Sequence, residues 1–208
     1  VRHAFRVLLL AAFLLVPAAS AAGSGPAPEV RRFLYVAPTA GVQIWDQSTA
    51  EGFTMEGRGG FMWGARAGIT PTPAFSIEAL ALTGTNTLTE DATGAGVTMR
   101  ITQLEASFLI NFQSFLSETV YPFLCLGAGA VIRRANAEVQ SGDPEDSHVA
   151  FHLGGGIRAS LAPRWALRFT AKDTFFSQSQ GTGNEERQVT VDTLELSLAL
   201  EARFHLEP

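Results

Sequence analysis

Beyond Arg32 the chain repeats one pattern: apolar and polar side chains alternate with a period of two, the mark of strands whose two faces meet different surroundings. The last segment is the clearest. Leu194, Leu196, Leu198, Leu200, Ala202, Phe204 and Leu206 share one face, and Glu195, Ser197, Ala199, Glu201, Arg203 and His205 share the other. Gln103 to Phe112 splits in the same way, with Leu104, Ala106, Phe108, Ile110 and Phe112 against Gln103, Glu105, Ser107, Leu109 and Asn111. So do Trp63 to Ile69, Phe75 to Ala81, Phe151 to Leu161 and Trp165 to Lys172, and more weakly Leu34 to Trp45 and Val120 to Arg133. That makes eight segments, and no apolar stretch of membrane-helix length or 3.6-residue stripe interrupts them.

Length and spacing separate a soluble sheet from a membrane one. A strand of about 11 residues rising ~3.3 Å per residue and tilted ~40° climbs close to the ~25 Å lipid-facing band of outer-membrane barrels. Soluble strands usually stop at about five or six residues. The connections alternate too. Thr70 to Pro73 and Ala162 to Arg164 read as tight turns and Gln113 to Thr119 as a short link. Asp46 to Gly59, Gly84 to Thr98, Arg134 to Ser147 and Ser177 to Thr190 read as longer polar loops. This suits eight antiparallel strands with both chain ends on the same side. In hydrocarbon every backbone group must be paired internally, so strands can span only as a closed barrel. The prediction is an all-β fold, an eight-stranded antiparallel up-and-down transmembrane β-barrel over residues 33–206.

If the leucines and aromatics meet lipid, Arg66, Arg158, Arg168, Lys172 and Arg203 share the lumen with Glu78, Glu105, Glu195 and Glu201. Charges in a narrow, dry interior persist only when paired and hydrogen-bonded. An ion-paired plug is therefore predicted, with Gly64, Gly68, Gly154 and Gly156 leaving room for the long side chains. Trp45, Trp63, Phe112, Tyr121, Trp165 and Phe175 fall near predicted strand ends, where aromatic rings form a girdle at the lipid–water boundary. A lipocalin-like soluble carrier, with an apolar lumen and a polar exterior, is set aside because the continuous leucine face is too large to leave in water.

Upstream, Arg2, His3 and Arg6 precede the apolar run Val7 to Val16, then Pro17 and small residues. That is the layout of a cleaved secretory signal peptide, assigned to residues 1–22, and the run is too short for a membrane helix. Residues 23–32, opening Gly-Ser-Gly-Pro, read as a flexible lead-in.

Composition changes this picture little. The chain is 46% hydrophobic and 17% charged, and a mean hydropathy of +0.14 suits a protein in which only alternate residues face lipid. A net charge of −5 without a basic stripe argues against a nucleic-acid partner. The one cysteine, Cys125, cannot close an intramolecular disulfide and lacks zinc-spaced neighbours. Neither a metal site nor a cofactor is predicted, since Asp143-Pro144-Glu145-Asp146 lacks the ligand spacing of a calcium loop. The acidic residues of the long loops read as an ordinary solvated surface.

Several stretches resemble the small outer-membrane barrels typified by the membrane domain of outer-membrane protein A and the opacity proteins. Tyr121-Pro122-Phe123-Leu124-Cys125-Leu126-Gly127-Ala128-Gly129 is similar to a Pro-aromatic-x-x-x-Gly-x-Gly strand common there. Gly154-Gly155-Gly156-Ile157-Arg158, followed by Pro163-Arg164-Trp165-Ala166-Leu167-Arg168, resembles the family's sixth and seventh strands. The last strand, ending near Phe204, resembles the aromatic-ended signal read by the barrel-insertion machinery, although here His205 to Pro208 follow it. The resemblance spans about Phe33 to Leu206 and implies a cell outer-membrane location with periplasmic termini. It also implies bilayer lipid, lipopolysaccharide and the insertion machinery as partners, and a monomer.

The function expected is non-enzymatic, structural or surface-interacting, with a narrow porin-like channel as the alternative and a lipid A-modifying enzyme as a third. No catalytic residues are assigned. Hydrolysis needs a histidine beside a serine or carboxylate at an accessible position. Only His148 next to Ser147 offers that, while His152 should face the lumen with Ser160 and Arg158, and His205 should lie near Glu201.

Overall fold

The computed structural model describes residues 32–45, 49–50, 53–54, 60–90, 96–112, 119–135, 145–180 and 187–206. The signal-peptide reading and, Arg32 apart, the lead-in fall outside the described residues, as do most of the acidic loop positions and Asp143-Pro144. Eight long strands make the fold: β1 (Phe33–Trp45), β2 (Gly60–Thr72), β3 (Phe75–Glu90), β4 (Gly96–Asn111), β5 (Val120–Ala135), β6 (Glu145–Ala162), β7 (Trp165–Gln180) and β8 (Arg187–His205). Each pairs antiparallel with its sequence neighbours, and β1 pairs with β8 from Phe33↔His205 to Trp45↔Thr193. The sheet therefore closes on itself, the one arrangement that lets strands cross hydrocarbon without an unpaired edge.

Pro73-Ala74 joins β2 to β3, and Pro163-Arg164 joins β6 to β7. The ladder shifts register between Ile69 and Thr72 and again between Ser160 and Ala162, just before each turn. Pro71 falls in the first shift, where a residue without an N–H cannot complete a rung. Both turns and the barrel's terminal residues Phe33 and His205 share one end, called the turn end here. At the opposite, loop end, Thr49–Ala50 pairs with Phe53–Thr54, which pairs in turn with Thr89 and Glu90 of β3.

The strands are longer than the alternation indicates. β3 continues past Ala81 to Glu90, β6 starts at Glu145, β7 reaches Gln180 and β8 starts at Arg187. Much of what the sequence presents as loop at Gly84 to Thr98, Arg134 to Ser147 and Ser177 to Thr190 is thus barrel wall. The reason is physical. In Thr83-Gly84-Thr85-Asn86-Thr87 neither face is apolar, so the backbone ladder goes on while the pattern that advertises it stops.

The two faces are distinct along most of the wall. On β8, Leu198, Leu200 and Phe204 are exposed whereas Glu195, Ser197, Ala199 and Glu201 are buried. On β4, Leu104 and Phe108 point out while Gln103, Glu105, Ser107, Leu109 and Asn111 point in. The interior is layered. Charged residues fill the middle and the turn end, and toward the loop end Met62, Leu80, Leu82, Ile101, Val131, Ala150, Phe176 and Val191 form a buried apolar cluster. That apolar layer lies on the face expected to be polar. Sequence alternation misses it because apolar residues on both faces, as in Ala79-Leu80-Ala81-Leu82, leave no contrast to read.

Candidate functional site

Glu78 of β3 anchors the centre of the lumen. Its carboxylate accepts from Tyr35 Oη at 2.8 Å, Arg66 Nη1 at 3.4 Å, and Arg168 Nη1 and Nη2 at 2.5 and 3.3 Å. Arg66 donates further to the hydroxyls of Thr39 (3.0 Å), Ser197 (3.3 Å) and Thr170 (3.5 Å), so one guanidinium ties together β2, β1, β8 and β7. Toward the turn end, Arg158 Nε and Nη2 both lie 2.9 Å from Glu201 Oε1, and Arg168 reaches the same carboxylate at 3.7 Å. Arg203 lies 3.5 Å from Glu201 and donates to Ser160 Oγ at 2.9 Å. Toward the loop end, Lys172 bridges Glu105 and Glu195, the latter at 3.1 Å. The structure thus brings all nine charged residues singled out from the sequence into the interior, in two connected groups around Glu78–Glu201 and around Lys172.

Aromatic rings pack against the cations, and the sequence reading missed them. Arg168 lies 4.3 Å from the Phe123 ring centroid, Arg203 5.0 Å from Phe33 and Arg158 5.1 Å from Tyr35. Such contacts strengthen when the cation is desolvated. Two glycines make the space: a Cβ on Gly68 would stand 2.5 Å from the Tyr35 ring, and one on Gly156 would stand 2.7 Å from Phe123 Cζ. Cys125 is buried beside Leu109 and Phe123, a packing role.

Tyr121 corrects the girdle expectation. It points inward, 3% exposed, and accepts from Arg158 Nη1 at 3.4 Å and Arg203 Nη2 at 3.5 Å. Tyr121-Pro122-Phe123-Leu124-Cys125 is apolar at nearly every position, so its sequence carries no sign of which residues turn inward. Of the other girdle positions, Trp63, Trp165 and Phe175 face outward and Phe112 is half-buried beyond the end of β4. Trp45 ends β1, and its side chain lies outside the described residues.

One arrangement superficially resembles a hydrolytic relay. Ser107 Oγ lies 2.8 Å from His152 Nε2, and His152 Nδ1 lies 3.8 Å from Glu105 Oε2. Three features disarm it. The second distance exceeds a hydrogen bond, Lys172 already holds the carboxylate, and Ser107 and His152 are both buried inside the barrel. A nucleophile must reach its substrate, and this one is sealed in. The expected company of Ser160 and Arg158 for His152 is replaced by Ser107 and Glu105. His148 pairs with Arg133 Nη2 at 2.8 Å and stacks on Phe176 rather than activating Ser147. His205 is exposed beside Phe33. Among the described residues no group of three or more His, Cys, Asp or Glu side chains is placed to hold a metal ion.

Comparison with solved structures gives the same architecture. Neisserial surface protein A is 17% identical with a TM-score of 0.59, the match covering 82% of this chain and 97% of that one. OprG of Pseudomonas aeruginosa is 11% identical (TM-score 0.51, coverage 86% and 98%). Outer Membrane Protein W of E. coli is 16% identical (TM-score 0.51, coverage 85% and 100%). At these identities the likeness is one of fold. No curated protein sequence matches the chain. The outer membrane protein β-barrel domain family matches residues 8–204, and the chain belongs to that family of outer-membrane barrels.

Proposed function

We propose that this protein is a non-enzymatic barrel of the outer membrane whose lumen is closed by its ion-pair network and whose loop end serves surface contacts. One observation carries the reading: Arg158, Arg168, Glu195 and Glu201 are each no more than 1% exposed inside the barrel. A pore needs a continuous water path, and charges lining it would be wet. Here both signs pair off around rings, and a buried apolar layer lies on the loop-end side.

In this reading residues 1–22 direct export and are removed, residues 23–32 lead into the barrel, and the turn end with both termini faces the periplasm. Trp63, Trp165 and Phe175 sit at the membrane boundaries, where indole and phenyl rings settle. The insertion machinery assembles the chain as a monomer among phospholipid and lipopolysaccharide. The supports are the family match, the outward apolar band and the short turns at one end.

Planar-bilayer recording tests the closure. The purified, folded protein is expected to give no sustained single-channel steps across a wide range of voltage. Steady, ohmic conductance scaling with salt would transfer the assignment to a narrow pore.

A further inference from the structure

The sheet divides above one rung. On the β6–β7 side the ladder ends at Ala150↔Phe176. Beyond it, among the described residues, Glu145 to Val149 of β6 pair with β5 alone, and Ser177 to Gln180 of β7 pair with β8 alone. The two strands therefore part toward the loop end, leaving a cleft of about 410 Å³ whose lining includes His148 and Phe176. The rung at the foot of the cleft also borders the apolar layer of the lumen, to which Val131, Ala150, Phe176 and Val191 belong. A ladder that stops here needs something other than backbone pairing to hold its last rung, because the ends of such units are where a sheet opens most readily.

Three side chains from three strands meet at this point. Arg133 of β5, 4% exposed, donates from Nη2 to Nε2 of His148 on β6 at 2.8 Å. Both lie against Phe176 of β7. The imidazole stacks on its ring at 5.4 Å and 25°, and the guanidinium carbon stands 5.7 Å from its centroid. The chemistry of this cluster admits one protonation state. A guanidinium only donates, so His148 Nε2 must accept, and the imidazole is neutral with its proton on Nδ1. A proton added at Nε2 removes the acceptor and sets two cations in contact. Imidazole is the side chain whose charge ordinarily changes between about pH 5 and 8. Protons reach this one, since His148 is half-buried beside the exposed Ser147 and Val149 in the lining of the cleft. Arg133 is the charged group bonded to it, and Asp146, opposite Arg133 in register, is the nearest acidic position on β6. Ile101 of β4, Phe176 and Ser177 of β7, and Thr190 and Val191 of β8 complete the surroundings and do not titrate.

We infer that Arg133, His148 and Phe176 form a proton-sensitive clasp at the loop end of the barrel. With His148 neutral, the clasp holds β7 against β5 and β6 where the β6–β7 ladder stops. With His148 protonated it lets go, and the split runs down past Ala150↔Phe176 toward the apolar layer. That the acidity sensed is that of the external medium rests on the orientation proposed above.

Imidazole nitrogen spectra and amide hydrogen exchange of the full folded protein in detergent micelles test it, and neither depends on which side of a membrane the loop end faces. At about pH 8, the alkaline end of the window, the His148 ring is expected as the Nδ1–H tautomer. From there to about pH 5, exchange protection of the Ala150 and Phe176 amides, corrected for the intrinsic effect of pH, should fall roughly tenfold or more. Protection at Ala199, on β8 away from the clasp, should not change. His148→Gln, whose carboxamide oxygen accepts from Arg133 without titrating, should stay protected throughout, and His148→Lys should be unprotected already at the alkaline end. Heat-modifiable gel migration certifies that each variant is folded. Wild-type protection that ignores pH, an Nε2–H ring at the alkaline end, or a lysine variant protected like the wild type overturns the inference. So does an acid response that persists in H148Q, since a group such as Asp146 would then carry it.

Discussion

Replacing Glu78 by alanine is expected to lower the unfolding free energy of the barrel by about 3–5 kcal/mol, the cost of removing one partner from a buried ion pair. Its carboxylate is the shared acceptor of Tyr35, Arg66 and Arg168, with the Arg66 and Glu78 side chains only 1–2% exposed. The substitution leaves two guanidinium groups in an interior where water cannot replace the lost acceptor, although Arg168 keeps Glu201 at 3.7 Å. Glu78→Gln, which keeps an acceptor oxygen and drops the charge, should fall between alanine and wild type. The pair Arg66→Met with Glu78→Met should recover part of the loss, because two apolar groups in place of an ion pair is often near neutral. Urea unfolding in lipid vesicles reads each of these, together with the single Arg66→Met and Glu78→Met variants that complete the cycle. Additive losses in the Arg66–Glu78 cycle would show that the two residues do not act as a pair.

The second large effect belongs to the outer face. Leu198→Arg is expected to destabilise the folded barrel by about 2–4 kcal/mol, the depth-dependent cost of a cation near the bilayer midplane. Leu198 is 53% exposed and sits midway along the part of β8 that pairs with β1, opposite Ala40 and Phe169. Phe204→Arg, at the turn end of the same strand and the same face, should cost no more than about 1 kcal/mol, since the penalty fades toward the interface. A gradient between these positions is peculiar to hydrocarbon. In a water-exposed sheet both changes would be close to neutral, and the same vesicle unfolding assay separates the two cases.

Where the two faces of a strand differ chemically, the sequence displays the fold. β8 alternates leucine with charge, and every residue from Leu194 to Phe204 could be assigned a face before any coordinates. The nine lumen charges are legible for the same reason: eight stand between apolar neighbours, and Lys172, between Ala171 and Asp173, continues the register set by Arg168. Legibility fails where the faces converge. Above Leu82 in β3 both become polar, through Thr83 to Thr87, so the wall past that point reads as loop. Around Tyr121 both become apolar, so an inward tyrosine reads as a boundary ring. The Phe33, Tyr35 and Phe123 contacts to arginine depend on side chains from distant strands meeting across the lumen, with Gly68 and Gly156 providing the space.

The most direct test is oxygen accessibility of single spin labels along β8 in lipid vesicles, on a Cys125→Ser background. Labels at Leu196, Leu198 and Leu200 should be readily reached by oxygen dissolved in hydrocarbon, and labels at Ser197 and Ala199 should be protected, giving maxima at every second residue. A flat profile, or maxima at Ser197 and Ala199, contradicts a barrel that turns its leucines to lipid and its charges to the axis.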